Sequence, residues 1–110
     1  MRPTMARNTF RLSHQAKGDL EKIADYLGQR NLAASNRVLG ILLRTFSALG
    51  ENPNLGMQRD DLHEGIRMIV PQKPADNYII FYYVTEYAIE ISDVIHGARD
   101  WLGMFVQGKR

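Results

Sequence analysis

Three histidines, His14, His63 and His96, are the side chains of this chain best suited to moving protons near neutrality or ligating a metal. Their spacing matches no metal-ligand pattern, and no cysteine is present to add a thiolate. The sequence therefore assigns no metal. It holds no Gly-rich phosphate loop and no recognisable Ser/His/Asp arrangement. His96 precedes Gly97, and that pair suits a strand-ending turn, with the imidazole bonding the backbone, as well as it suits acid–base work. Arg67 and Arg99 can set the fold by pairing with Asp93 or Asp100 or by binding backbone carbonyls. Tyr78 and Tyr82 fall on one face of a strand, where they can stack bases or fill a core.

The elements that must position these residues are legible from apolar spacing. Phe10 to Leu12 reads as a short strand, and Ser13 as the N-cap of a first helix. Ala16, Leu20, Ile23, Ala24 and Leu27 make its apolar stripe, with Lys17, Asp19, Glu21, Lys22 and Asp25 on the polar face. That helix is expected to stop near Gly28 to Asn31. A second helix is predicted over 33–49, with Val38, Leu42, Phe46 and Leu49 as its stripe, Leu39 and Leu43 beside it, and Gly50 as its C-terminal cap. The short link implies an antiparallel helical hairpin. Asn52-Pro53-Asn54-Leu55-Gly56 is a turn, and Arg59 to Asp61 a polar loop.

Three strands follow, over 66–70, 78–85 and 88–95, the middle one apolar on both faces and so central. Asp93 breaks the alternation of Ile89 and Ile91, so a bulge near Ser92-Asp93 is needed to return Val94 to the core. A short terminal helix over 98–105 is anchored by Trp101, Leu102 and Phe105, and Gln107 to Arg110 read as a frayed end. The expected layout is α+β: an N-terminal strand and a helical hairpin on one face of an antiparallel sheet, in the order β-α-α-β-β-β with a short C-terminal helix.

The chain has 110 residues, 45% hydrophobic and 24% charged, which suits one domain over residues 1–110. No apolar run approaches the roughly 18 residues of a membrane span. The first eleven residues lack a signal peptide's apolar stretch, and Met5 reads as a candidate native start, with residues 1–4 a leader or an expression remnant. The absence of cysteine fits a reducing cytoplasm. The net charge is +2, but residues 1–50 hold eight Lys/Arg against three Asp/Glu and residues 51–110 six against nine. A basic half can meet nucleic acid or an acidic protein segment, or simply be a solvated helix surface.

Several short runs, each weak alone, occur together in order. They are Leu12-Ser13 leading into Ala16, Asp19-Leu20, Ile23 and Tyr26-Leu27; then Asn52 to Gly56; Arg59-Asp60-Asp61-Leu62; Gly65-Ile66-Arg67; Tyr78-Ile79-Ile80-Phe81-Tyr82; and Val94-Ile95-His96-Gly97-Ala98-Arg99-Asp100. In this order they resemble ParE-like toxins of the RelE/ParE type II toxin–antitoxin superfamily, over about residues 8 to 105.

The resemblance implies the RelE/ParE fold, a ParD-like antitoxin partner, growth arrest, and no cofactor, metal or membrane. Arg37, Leu39, Leu43 and Arg44 on the second helix would be antitoxin contacts. Arg67, Lys73, Arg99 and Trp101 would meet the target. ParE-like toxins act on DNA gyrase, whereas RelE-like relatives cleave mRNA on the ribosome. Cleavage needs an acid–base pair and cations on the scissile phosphate. RelE-like members gather several Lys and Arg for this, while this chain has four lysines and only Lys73 among the strands. The catalytic candidates under that alternative are His96, Arg67 and Arg99. The favoured expectation is a non-enzymatic gyrase inhibitor; a relative that binds but has lost toxicity is a third.

Overall fold

The computed structural model describes residues 9–99 and 101–106. The candidate start at Met5, Asp100 as an arginine partner and the frayed end Gln107 to Arg110 lie outside the described residues. The element order is β1 (Phe10–Leu12), α1 (His14–Gly28), α2 (Leu32–Glu51), a 3-10 turn (Pro53–Leu55), β2 (Met57–Gln58), β3 (Ile66–Ile69), β4 (Tyr78–Val84), β5 (Ile89–His96) and α3 (Trp101–Val106).

Both long helices begin where a side chain satisfies a free first-turn N–H. The Ser13 hydroxyl accepts from Ala16 N at 2.9 Å, and Asn31 Oδ1 accepts from Ala34 N at 3.0 Å. The apolar stripes face inward as their spacing demands: Ala16 and Ile23 from α1, and Val38, Leu42, Phe46 and Leu49 from α2. Asp19 departs from expectation. It is 8% exposed rather than on the polar face, because it lies three residues after Ala16, at core phase, and has donors to meet there. α2 also runs past Gly50. It ends at Glu51 and is capped at Asn52, whose carboxamide accepts from Asn54 N and so starts the 3-10 turn. The last helix starts at Trp101 rather than at Ala98, since the chain from His96 to Arg99 is occupied by a turn.

The five-stranded sheet has the order β1-β5-β4-β3-β2. Its pairings are antiparallel except for β1, which joins β5 in parallel, with Phe10 opposite Ile89 and Leu12 opposite Ile91. The expected antiparallel sheet is thus mixed at one edge. A parallel pair needs a long crossover, and the helical hairpin is part of it. β2, two residues paired with Met68 and Arg67, lies where the sequence suggested only turn and loop. The bulge falls where the pattern required it. The register steps from Phe81 opposite Asp93 to Tyr82 opposite Ile91, so Ser92 is the extra residue. Ile91 and Val94 thereby share the helix-covered core, while Ile95 joins Ile66, Ile79 and Phe81 on the other face. Trp101, Met104 and Phe105 of α3 partly cover that second face. Among the described residues no helix is long and apolar enough to cross a membrane.

Candidate functional site

β1 is only three residues long, so it pairs with β5 as far as Ile91 and leaves the outer edge of β5 beyond that point without a strand. The start of α1 completes that edge. Ser13 N donates to Ile91 O at 2.9 Å, and the Ser13 hydroxyl donates to Ser92 O at 2.8 Å. The Asp19 carboxylate accepts from Val94 N at 2.9 Å and from Gln15 Nε2 at 2.9 Å. A buried N–H without an acceptor is costly, and a short acidic side chain at core phase on α1 is the device that meets it.

This junction shapes a cleft of about 290 Å³. α1 contributes Asp19, Lys22, Ile23 and Tyr26; the sheet contributes Tyr78, Val94 and Ile95; the turn after β5 contributes His96 and Arg99. His96 is exposed, its Nδ1 accepts from Ala98 N at 3.1 Å, and its ring meets the Tyr78 ring edge-on at 5.3 Å. His96 therefore stands at a strand-ending turn with its imidazole bonding the backbone, the first of its two expected descriptions. Burial pushes the Tyr78 phenol above its ordinary range, with Tyr26 adding to the effect, so Tyr78 faces the cleft as a protonated group. Tyr26 is 55% exposed, and the Arg30 guanidinium lies 4.1 Å from its ring centroid.

Arg67 is elsewhere. It is half-buried opposite Tyr82, and its Nε donates to Gly56 O at 3.2 Å. The Tyr82 hydroxyl donates to Pro53 O at 2.7 Å and accepts from Gly56 N at 2.8 Å. Gly56 is required here, since a Cβ would come within 2.6 Å of that hydroxyl oxygen. Arg67 and Tyr82 together fasten the Asn52 to Gly56 turn to the sheet. Tyr78 and Tyr82 are both core residues of the helix-covered face.

Trp101 anchors α3 with its ring 5.6 Å from that of Phe81, and the Arg59 guanidinium lies 5.8 Å from the Trp101 ring. Arg59 also bonds Asp61 at 2.9 Å, which holds the Asp61 carboxyl below its usual range. Lys73 is exposed in the β3–β4 loop. The structure thus brings His96 and Arg99 to one cleft and leaves Arg67, Lys73 and Trp101 at three other places.

The four α2 residues expected to meet an antitoxin divide between two flanks. Arg37, Ile41, Arg44 and Ala48 recur at helical spacing on one flank of the core stripe, and Leu39 and Leu43 lie on the other. Leu39 packs against the core and Leu43 is exposed. Two adjoining hollows share Ile41 and Arg44. One, of about 330 Å³, reaches Arg37, Gly40 and Pro74; the other, of about 390 Å³, reaches Leu55, Val70 and Gln72. They form a groove between α2 and the β3–β4 loop with a guanidinium at each of two points.

Sequence reasoning did not find Asp19, Lys22 or Tyr26. The usable signal was the core phase of Asp19 together with the bulge, which frees an N–H that some acceptor must meet.

Comparison with known proteins agrees with this geometry. No curated protein is significantly similar in sequence. A solved structure described as the chromosomal ParDE TA system from P. aeruginosa is similar in fold, with a TM-score of 0.68 at 16% sequence identity, covering 80% of this chain and 94% of that one. The family model for the ParE toxin of the type II toxin–antitoxin system parDE matches residues 10–101, the whole sheet and both long helices, and so this chain belongs to the ParE toxin family.

Proposed function

We propose that the chain arrests growth by binding DNA gyrase, without catalysis of its own, and that a ParD-like antitoxin neutralises it by seating an acidic, amphipathic segment in the α2 groove. One observation carries the preference for binding over RNA cleavage: the candidate catalytic groups do not converge. Arg67 stands opposite Tyr82 on one side of β4, and His96 stands opposite Tyr78 on the other. Four residues of strand correspond to roughly 13 Å, before the spacing across the sheet is added. Acid–base chemistry on one phosphate needs its groups within hydrogen-bond reach of it, and Arg67 is already engaged at the Gly56 carbonyl.

The ribonuclease alternative keeps one supporting observation, the shared cleft of His96 and Arg99. Purified protein in a gyrase supercoiling assay separates the two. Inhibition is expected, and His96→Ala is expected to inhibit within about twofold of the parent. Cleavage of ribosome-bound mRNA with gyrase untouched, and abolished by His96→Ala in folded protein, would overturn the proposal.

A further inference from the structure

The cleft between α1 and the turn after β5 is built from more than the gyrase proposal uses. Its apolar floor, its aromatic wall and its cations have a combined chemistry of their own. We propose that it is a binding site for a nucleoside monophosphate, either free or as the 5′-phosphorylated end of a strand.

Size sets the first limit. About 290 Å³ is at the small end of ligand sites, which run from about 300 to 1,000 Å³, and suits a single nucleotide rather than a longer segment. Ile23, Val94 and the Tyr78 ring give the apolar surface a base needs. Tyr26 supplies a half-exposed ring at the rim. Arg30 caps that ring from outside the cleft lining, so a base on the cleft side would meet an aromatic plate already paired with a cation.

The charges fit a phosphate. Lys22 and Arg99 both line the cleft. His96 adds a donor: its Nδ1 accepts from Ala98 N, so Nε2 carries the proton and is not part of that turn. The one carboxylate in the lining, Asp19, is 8% exposed and holds the Val94 N–H and the Gln15 amide, so that Lys22 and Arg99 leave the lining with one positive charge in excess (two against one). A phosphate accepts from several donors at once, and charge-assisted bonds of this kind are the strong ones.

The test is an amide-resolved NMR titration of the full chain with AMP, adenosine, inorganic phosphate and a 5′-phosphorylated tetranucleotide. AMP is expected to move the amides of Lys22, Tyr26 and the turn after His96, and to bind at least about tenfold more tightly than adenosine or phosphate alone. Lys22→Gln and Tyr26→Ala, both at exposed positions of α1, are each expected to weaken AMP about tenfold with the rest of the spectrum unchanged. A tetranucleotide tighter than AMP makes the natural ligand a strand end, and the reverse order makes it a free nucleotide; either supports the pocket. No shift at millimolar AMP, or unchanged affinity in both variants, overturns it. So does tighter binding of an aspartyl-phenylalanine dipeptide, which would make the cleft a peptide site. Because the readout is binding, the result is independent of gyrase inhibition.

Discussion

The hydroxyl of Tyr82 makes two bonds inside the core, one to the Pro53 carbonyl and one from the Gly56 N–H. Tyr82→Phe keeps the ring and removes both. It is expected to cost about 1–3 kcal/mol, since a donor and an acceptor lose their partner together. Chemical denaturation would show this as a lower midpoint at unchanged slope; an unaltered midpoint would mean that water replaces the hydroxyl. Two other tyrosines report through pH. Burial raises the phenols of Tyr78 and Tyr83, the latter also through the charges of Asp93 and Glu90. A group whose folded-state pKa is raised contributes stability that is whole below the unfolded value near 10 and is lost as pH rises through the folded value. Through these two phenols, stability is therefore expected to decline in the alkaline range. An ultraviolet titration should show the Tyr78 and Tyr83 phenols ionising late, and Tyr78→Phe should remove the first of these contributions.

At the scale of elements, the Ser92 bulge decides which faces the end of β5 presents. Deleting Ser92 would take out the extra residue and make the pairing regular while leaving Asp93 opposite Phe81 and Val94 opposite Ile80, so residues 93–96 would keep their faces. The variant is expected to keep a cooperative thermal transition; loss of that transition would show that the bulge itself, through the Ser13 hydroxyl bond to Ser92 O, holds the junction of α1 and β5. The bulge was readable because Asp93 broke an alternation that Val94 had to resume. The two helices were readable because Ala16 to Leu27 and Val38 to Leu49 repeat at 3.6 residues. β2 was not, since Met57 and Gln58 are too few to show a period and are strand only by what they pair with. The direction of β1 was not either, because three residues carry no sign of parallel or antiparallel pairing. In the cleft, the His96 to Arg99 run stood out as a motif, whereas Lys22 and Tyr26 look like any solvated helix residues until α1 is laid against β5.

For the whole molecule, charge is divided by element. The basic groove of α2 faces one way and the cleft under α1 lies elsewhere, so a partner can occupy one without covering the other. Arg37 and Arg44 are seven residues apart, about 10.5 Å along the helix, which asks for two acidic side chains at a matching interval. Arg37→Glu with Arg44→Glu is expected to weaken antitoxin binding by about a hundredfold while leaving gyrase inhibition intact. Calorimetry against the antitoxin, with the supercoiling assay alongside, would read both; full rescue of growth by antitoxin in the double variant would place the docking surface elsewhere.

The pairing of β1 with β5 also has a consequence in time. Phe10 is hydrogen-bonded into the sheet at the level of Ile89, and Ser13 is held by Ser92, 79 residues away. During synthesis the first strand and the start of the first helix leave the ribosome long before the residues that hold them. Contacts closing so long a loop come late in folding. The nascent chain is thus expected to stay unfinished until its last strand emerges, however early its two helices form.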